Sequence, residues 1–86
     1  QFRATARRNK LLGLWAAEKM GLTAAEADAY GKSVVQADFE EAGDEDVIRK
    51  VFSDLSAAGL DISEHEVRKV MDDKAHDARR QLATEV

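Results

Sequence analysis

The chain has 86 residues, with 13 Lys and Arg against 17 Asp and Glu, and neither cysteine nor proline. That length describes one domain near the lower limit for a core without disulfide or metal support, and without thiols neither a disulfide framework nor a thiolate zinc site can form. A net charge of −4 argues against nucleic-acid binding, which ordinarily needs a basic surface, and no apolar run approaches the roughly 20 residues that cross a bilayer.

With no proline to interrupt a helix, and with many Ala, Glu, Lys, Leu and Arg, the composition predicts a mostly helical chain. The first helix is expected over about residues 2–20, ending at Gly21, where a left-handed C-terminal position costs glycine little. A second runs over about 24–41. Its start is the capping box of "TAAE", in which Thr23 accepts the amide of Glu26 and Glu26 reaches back. Its apolar row, Ala27, Tyr30, Val34, Ala37 and Phe39, is thin and needs neighbours on both sides.

Asp44 is the expected cap of a third helix, about 45–58, with Glu45 and Asp46 in a first turn whose dipole favours anions. Val47, Ile48, Val51, Phe52, Leu55 and Ala58 form a continuous stripe on it. "SEHE" from Ser63 to Glu66 is a second capping box and opens a fourth helix, about 64–84, whose stripe is Val67, Val70, Met71, Ala75, Ala78 and Leu82. Leu60 and Ile62 in the connection before it can plug the base of a bundle. Short glycine-marked connections favour antiparallel neighbours, so the fold class is all-α, a single four-helix bundle over 1–86.

Charge is not spread evenly. Residues 1–20 carry five cations and one anion, leaving −8 on the remainder. At 100° per residue, Arg3, Arg7 and Lys10 fall within an arc of about 60°, with Leu14 continuing the row. Leu11, Leu12, Leu14 and Trp15 cover a broader arc than one helix contact requires, and a further row, Phe2, Ala6, Asn9, Gly13, Ala16 and Met20, has small residues in its middle that admit a close neighbour. A helix apolar on several sides is either central to the bundle or has surface to offer a partner. Exposed cations opposite the acidic "ADFEEAGDED" contribute only about 0–1 kcal/mol per pair and need no function. Trp15 reads first as core, since its ring is the largest apolar surface available. The functional alternative is a nucleotide site in which Arg3, Arg7, Arg8 and Lys10 contact phosphates while Trp15 or Tyr30 contacts the base.

Catalytic chemistry is not legible. His65 and His76 lack any metal-ligand spacing, and the serines have no His with a supporting acid. Asp72 with Asp73, and Glu40 with Glu41, point in different directions on a helix. "YGKS" from Tyr30 to Ser33 carries only the last letters of a phosphate-binding loop and lacks its first glycine and preceding strand. No catalytic residue, metal ligand or required cofactor is assigned.

Read together, "ARRNKLLGLWAAEKMGL", "ADFEEAGDEDVIRKVFSDL" and "DISEHEVRKVM" resemble the alphaproteobacterial zeta subunit family, inhibitors of the F-type ATP synthase, through long gapless blocks over practically the whole chain. The resemblance implies a non-enzymatic four-helix bundle in the bacterial cytoplasm, held at the inner membrane only through the synthase. It implies binding to the catalytic head, formed by the alpha and beta subunits, contact with the gamma subunit, and blocked ATP hydrolysis. It places the main inhibitory action in a short segment upstream of Gln1, on the order of twenty residues and flexible when free, consistent with the poor order usual at chain ends. Phe2, Arg3, Arg7, Arg8, Asn9 and Lys10 adjoin that segment and are the candidate partner contacts. Weak ADP or ATP binding is also implied, without assigned positions. The alternatives are a nucleotide-sensing bundle and a generic helical interaction module.

Overall fold

A computed structural model of the chain describes residues 2–40 and 43–84, with backbone alone at Phe2, Phe39 and Glu40. Four helices are present, α1 (Phe2–Met20), α2 (Ala24–Glu40), α3 (Asp44–Ala57) and α4 (Glu64–Thr84), and there is no strand among the described residues. The fold is therefore an all-α four-helix bundle. The expected end of α2 at Glu41 and the side chain of Phe39 lie outside the described residues.

Local signals set most of the ends. Thr23 Oγ1 accepts the Glu26 amide at 3.2 Å and Glu26 Oε1 accepts the Thr23 amide at 2.9 Å, completing the box that starts α2. At Ser63 half of the box forms, with Ser63 Oγ accepting the Glu66 amide at 3.1 Å. Helices α1 and α3 both stop through a left-handed glycine, Gly21 at φ 73° and Gly59 at φ 82°. Leu22 N then reaches Ala17 O, and Leu60 N reaches Leu55 O, each at 3.1 Å, so that carbonyls left open at the helix end are satisfied.

Two expectations on α3 are corrected. Asp44 is not its cap but its first residue; Gly43 holds the N-cap position without any side-chain cap bond, and the Asp44 carboxylate is drawn instead to Arg8, 2.9 Å away. Ala58 is exposed rather than core, because it is the C-cap where the chain leaves the helix axis. Leu60, turned back over the helix end, packs against the core just beyond it.

The core is built from Leu12, Ala16, Val34, Val47, Ile48, Val51, Leu55, Val67 and Met71. Its centre is α1, which packs against each of the other three helices, while α3 touches both α2 and α4. Helices α2 and α4 do not pack directly on each other. Three sides of α1 are thus covered and the fourth, between α2 and α4, stays open.

The small-residue row on α1 explains the approach of α2. A Cβ placed on Gly13 would lie 2.8 Å from Gly31 Cα and 3.1 Å from Val34 Cγ2, so the two backbones meet at this pair. Gly31, by contrast, has 3.5 Å of room before the Lys10 side chain and carbonyl. Lys10, Gly13 and Leu14 meet α2 at Gly31, and further along Ala6 and Val35 line one groove, which makes the pair antiparallel.

The asymmetry of the two glycines yields a prediction. Gly13→Ala gains about 1 kcal/mol of helix propensity but forces the helices apart, for a net loss of about 1–3 kcal/mol. Gly31→Ala keeps ordinary contacts and is neutral or up to about 1 kcal/mol stabilising. Thermal melts should rank Gly31→Ala at or above the parent and Gly13→Ala clearly below; equal melting for both variants would refute the close crossing.

Candidate functional site

The open fourth side of α1 carries the basic row. Arg3, Ala6, Arg7 and Lys10 of α1, Val35 of α2 and Leu82 of α4 line a groove of about 340 Å³. Its floor is apolar, supplied by Ala6, Val35 and Leu82, and its rim is cationic. Arg3 and Lys10 are exposed and Arg7 half-buried, with Arg7 Nη1 donating to Gln81 Oε1 of α4 at 2.9 Å. The groove follows from the packing: α2 and α4 stand on either side of α1 without meeting over it, so the α1 residues between them keep contact with water.

Arg8 turns away from this row. Its Nε and Nη2 donate to Asn9 Oδ1 at 3.1 and 2.9 Å, and Nη2 also reaches Asp44 Oδ1 at 2.9 Å. The Arg8 side chain is only 13% exposed and Asn9 is fully buried. Together they clip α1 to the first turn of α3. Asn9 Nδ2 has no partner among the described residues, and a buried amide left so costs on the order of 1–3 kcal/mol. On its other side Arg8 lines a small recess of about 110 Å³ between α1 and α4, with Ala4, Thr5, Ala75 and Arg79.

Of the residues singled out in the sequence, then, the structure brings Arg3, Arg7 and Lys10 together and sends Arg8 and Asn9 to the α3 side. The Phe2 side chain lies outside the described residues. Trp15, half-buried and packed against the core, lies about 110° around α1 from the middle of the basic row. Tyr30 faces α3: its hydroxyl donates to Asp54 Oδ2 at 2.8 Å, and Lys50 donates to the same oxygen at 3.1 Å while its ammonium sits 5.3 Å from the ring centroid. The groove floor was not legible as a site. Val35 could have been noticed, because it is an apolar residue beside Val34 that falls off the core stripe of α2.

Elsewhere the charges tie helix ends together. Arg68 of α4 makes two bonds to Glu45 of α3, at 2.7 and 2.5 Å, and one to Glu64 at 3.0 Å. The hydrogen bonds from Arg68 hold the Glu45 carboxyl below its usual range. Among the described residues no group of three His, Asp or Glu could hold a metal ion, and no helix is long and apolar enough to cross a membrane. His65 and His76 are exposed, and His76 Nδ1 contacts Arg79.

A bundle of this kind, with polar networks spent largely on helix ends and a lined groove on its central helix, belongs to the class of small all-α four-helix proteins. The family model described as ATPase inhibitor subunit zeta matches residues 1–81. A chain known from a solution NMR structure is 51% identical, with a TM-score of 0.87 and coverage of 100% of this chain and 98% of that one. No curated protein matches the chain. The chain belongs to the ATPase inhibitor subunit zeta family, which gives it the role of an ATP synthase inhibitor.

Tyr30 supplies a test of the α2–α3 contact. Burial, and then the hydrogen bond to and charge of Asp54, push its phenol far above the usual value. An unfolded tyrosine ionises near pH 10, so the stability tied to the protonated phenol is complete below about pH 10 and is lost as pH rises beyond it. Because Tyr30 is the only tyrosine, tyrosinate absorbance should stay absent beyond about pH 10 and appear together with loss of helix. Ionisation near pH 10 with the helices intact would contradict the buried contact.

Proposed function

We propose that this chain is a non-catalytic regulatory subunit that docks on the catalytic head of the F-type ATP synthase and inhibits ATP hydrolysis, with residues 1–86 acting mainly as the anchoring bundle. The observation that carries this reading is the family match over residues 1–81; the groove on α1 supports it by offering a surface on which a partner could dock. The partners are the alpha and beta subunits of the head and the gamma subunit between them, and the setting is the bacterial cytoplasm at the inner membrane.

The division of labour has a physical basis. A segment that folds only as it enters a catalytic interface bears its own ordering cost, which weakens its binding. A prefolded anchor holds that segment at high effective concentration and offsets the loss without adding contacts to the active site.

ADP or ATP as a weak second ligand is favoured by Arg3, Arg7 and Lys10, with phosphates on the rim of the groove. Trp15 and Tyr30, held in other contacts, add nothing to it there. Affinity would be modest, since the groove is shallow and its charges are screened by salt.

The test is ATP hydrolysis by purified catalytic head. Residues 1–86 should inhibit weakly, yet in excess should relieve inhibition by a family member that carries the inhibitory segment, and millimolar ADP should reduce that relief if nucleotide shares the groove. Failure of residues 1–86 to relieve inhibition would remove the anchor reading. Complete inhibition by residues 1–86 alone would move the inhibitory action into α1.

A further inference from the structure

We infer that the second half of α4, residues 72–84, is a strap that lifts from α1 while the packed core stays closed, and that it thereby controls access to the first turns of α1. This lifting is a property of the free chain and does not depend on what the bundle docks to. The position of the core is the first reason for it. Val67 and Met71 are the α4 members of the core, with Val70 packed against it, and beyond Met71 the one fully buried residue of the described helix is Ala78. On α1 the core likewise begins at Leu12, and among the described side chains before it the fully buried one is the polar Asn9. Large apolar side chains therefore seal one end of the α1–α4 contact, while an alanine, which removes little apolar surface from water, meets α1 at the other.

Open space beside that alanine is the second reason. Ala75 and Arg79 face Ala4, Thr5 and Arg8 across the recess of about 110 Å³, and Leu82 borders the groove of about 340 Å³. Where partner atoms are missing their dispersion contacts are forfeited, so neither border holds the strap firmly. Arg7 Nη1 reaches Gln81 Oε1 at 2.9 Å, but this contact is exposed, and a hydrogen bond there gains little over its hydrated alternative.

The third reason is the direction of the charges. Lys74 and Arg80 both pair with Asp77, and Arg79 contacts His76 Nδ1 at 3.1 Å, all within the strap. Pairs at this spacing support the helix itself and not its seat on α1. In the first half of α4, by contrast, Arg68 crosses to Glu45 of α3. Lifting the strap joins the recess and the groove into one surface along the first turns of α1.

Because the chain has no cysteine, single introduced thiols report the opening. Ala78 and Ala16 are both fully buried helical alanines, so Ala78→Cys and Ala16→Cys form a matched pair, each rate with dithiobis-nitrobenzoate being referred to that of the same variant unfolded in urea. Ala78→Cys should react roughly thirtyfold or more faster without urea and depend little on low urea, whereas Ala16→Cys should accelerate steeply as global unfolding takes over. Hydrogen exchange on unsubstituted residues 1–86 reads the same event without any variant. Amides 76–82 should share one low protection, roughly a hundredfold or more below that of residues 67–71, since a detached stretch this short is marginal as a helix. Equal thiol rates with equal urea dependence would overturn the proposal. So would amides 76–82 protected like those of residues 67–71, or a loss of protection that grows residue by residue and stays within the last turn, which is ordinary fraying.

Discussion

Contact between the backbones of α1 and α2 at Gly13 and Gly31 is the constraint from which the rest of the molecule follows. With no Cβ possible on Gly13 at a distance of 2.8 Å from its neighbour, the two helices sit close enough for Val34 and Leu12 to be fully buried. Close approach on that side pulls α1 into the middle of the bundle, where α3 and α4 complete the enclosure of Ala16, Val51, Leu55, Val67 and Met71. Because α2 and α4 each pack on α1 and not on one another, the basic row of α1 remains in contact with water. The groove is therefore a consequence of how the core is closed.

Charge is arranged along the same lines. Arg8 is drawn to Asn9 and Asp44, Arg68 to Glu45 and Glu64, and Lys50 to Asp54 beneath Tyr30. Exposed pairs of this kind contribute about 0–1 kcal/mol each, so their effect is chiefly to fix how helix ends meet. The groove itself sets the side chains of Arg3, Arg7 and Lys10 beside the apolar Ala6, Val35 and Leu82. It is on this surface that the proposed docking role rests, within a family whose role is inhibition.

Much of this was readable in the chain. The capping boxes at Thr23 and Ser63, the glycine stops at 21 and 59 and the stripes on α3 and α4 are local signals, and local signals decide where helices begin, end and face. The resemblance in the long gapless blocks led to the family, which periodicity could not have done. Tertiary contacts were not readable in the same way. Arg8 follows Arg7 in sequence but lies 100° around the helix, and its allegiance to Asn9 and Asp44 depends on where α3 begins. Gly31, whose "YGKS" setting matches a phosphate loop only by chance, lies where Gly13 crosses α2, and it is at Gly13 that a Cβ finds no room. Val35 and Leu82 are distant in sequence and become one floor only because α1 separates the helices that carry them.

Hydrogen exchange on residues 1–86, free and bound to the catalytic head of the synthase, tests the central claim most directly, that the bundle docks through the open side of its central helix. Binding should add protection along the first half of α1, at the end of α2 around Val35 and in the last turn of α4, and should leave α3 unchanged. Added protection confined to α3 and the connection into α4, with the start of α1 exchanging as in the free chain, would contradict it.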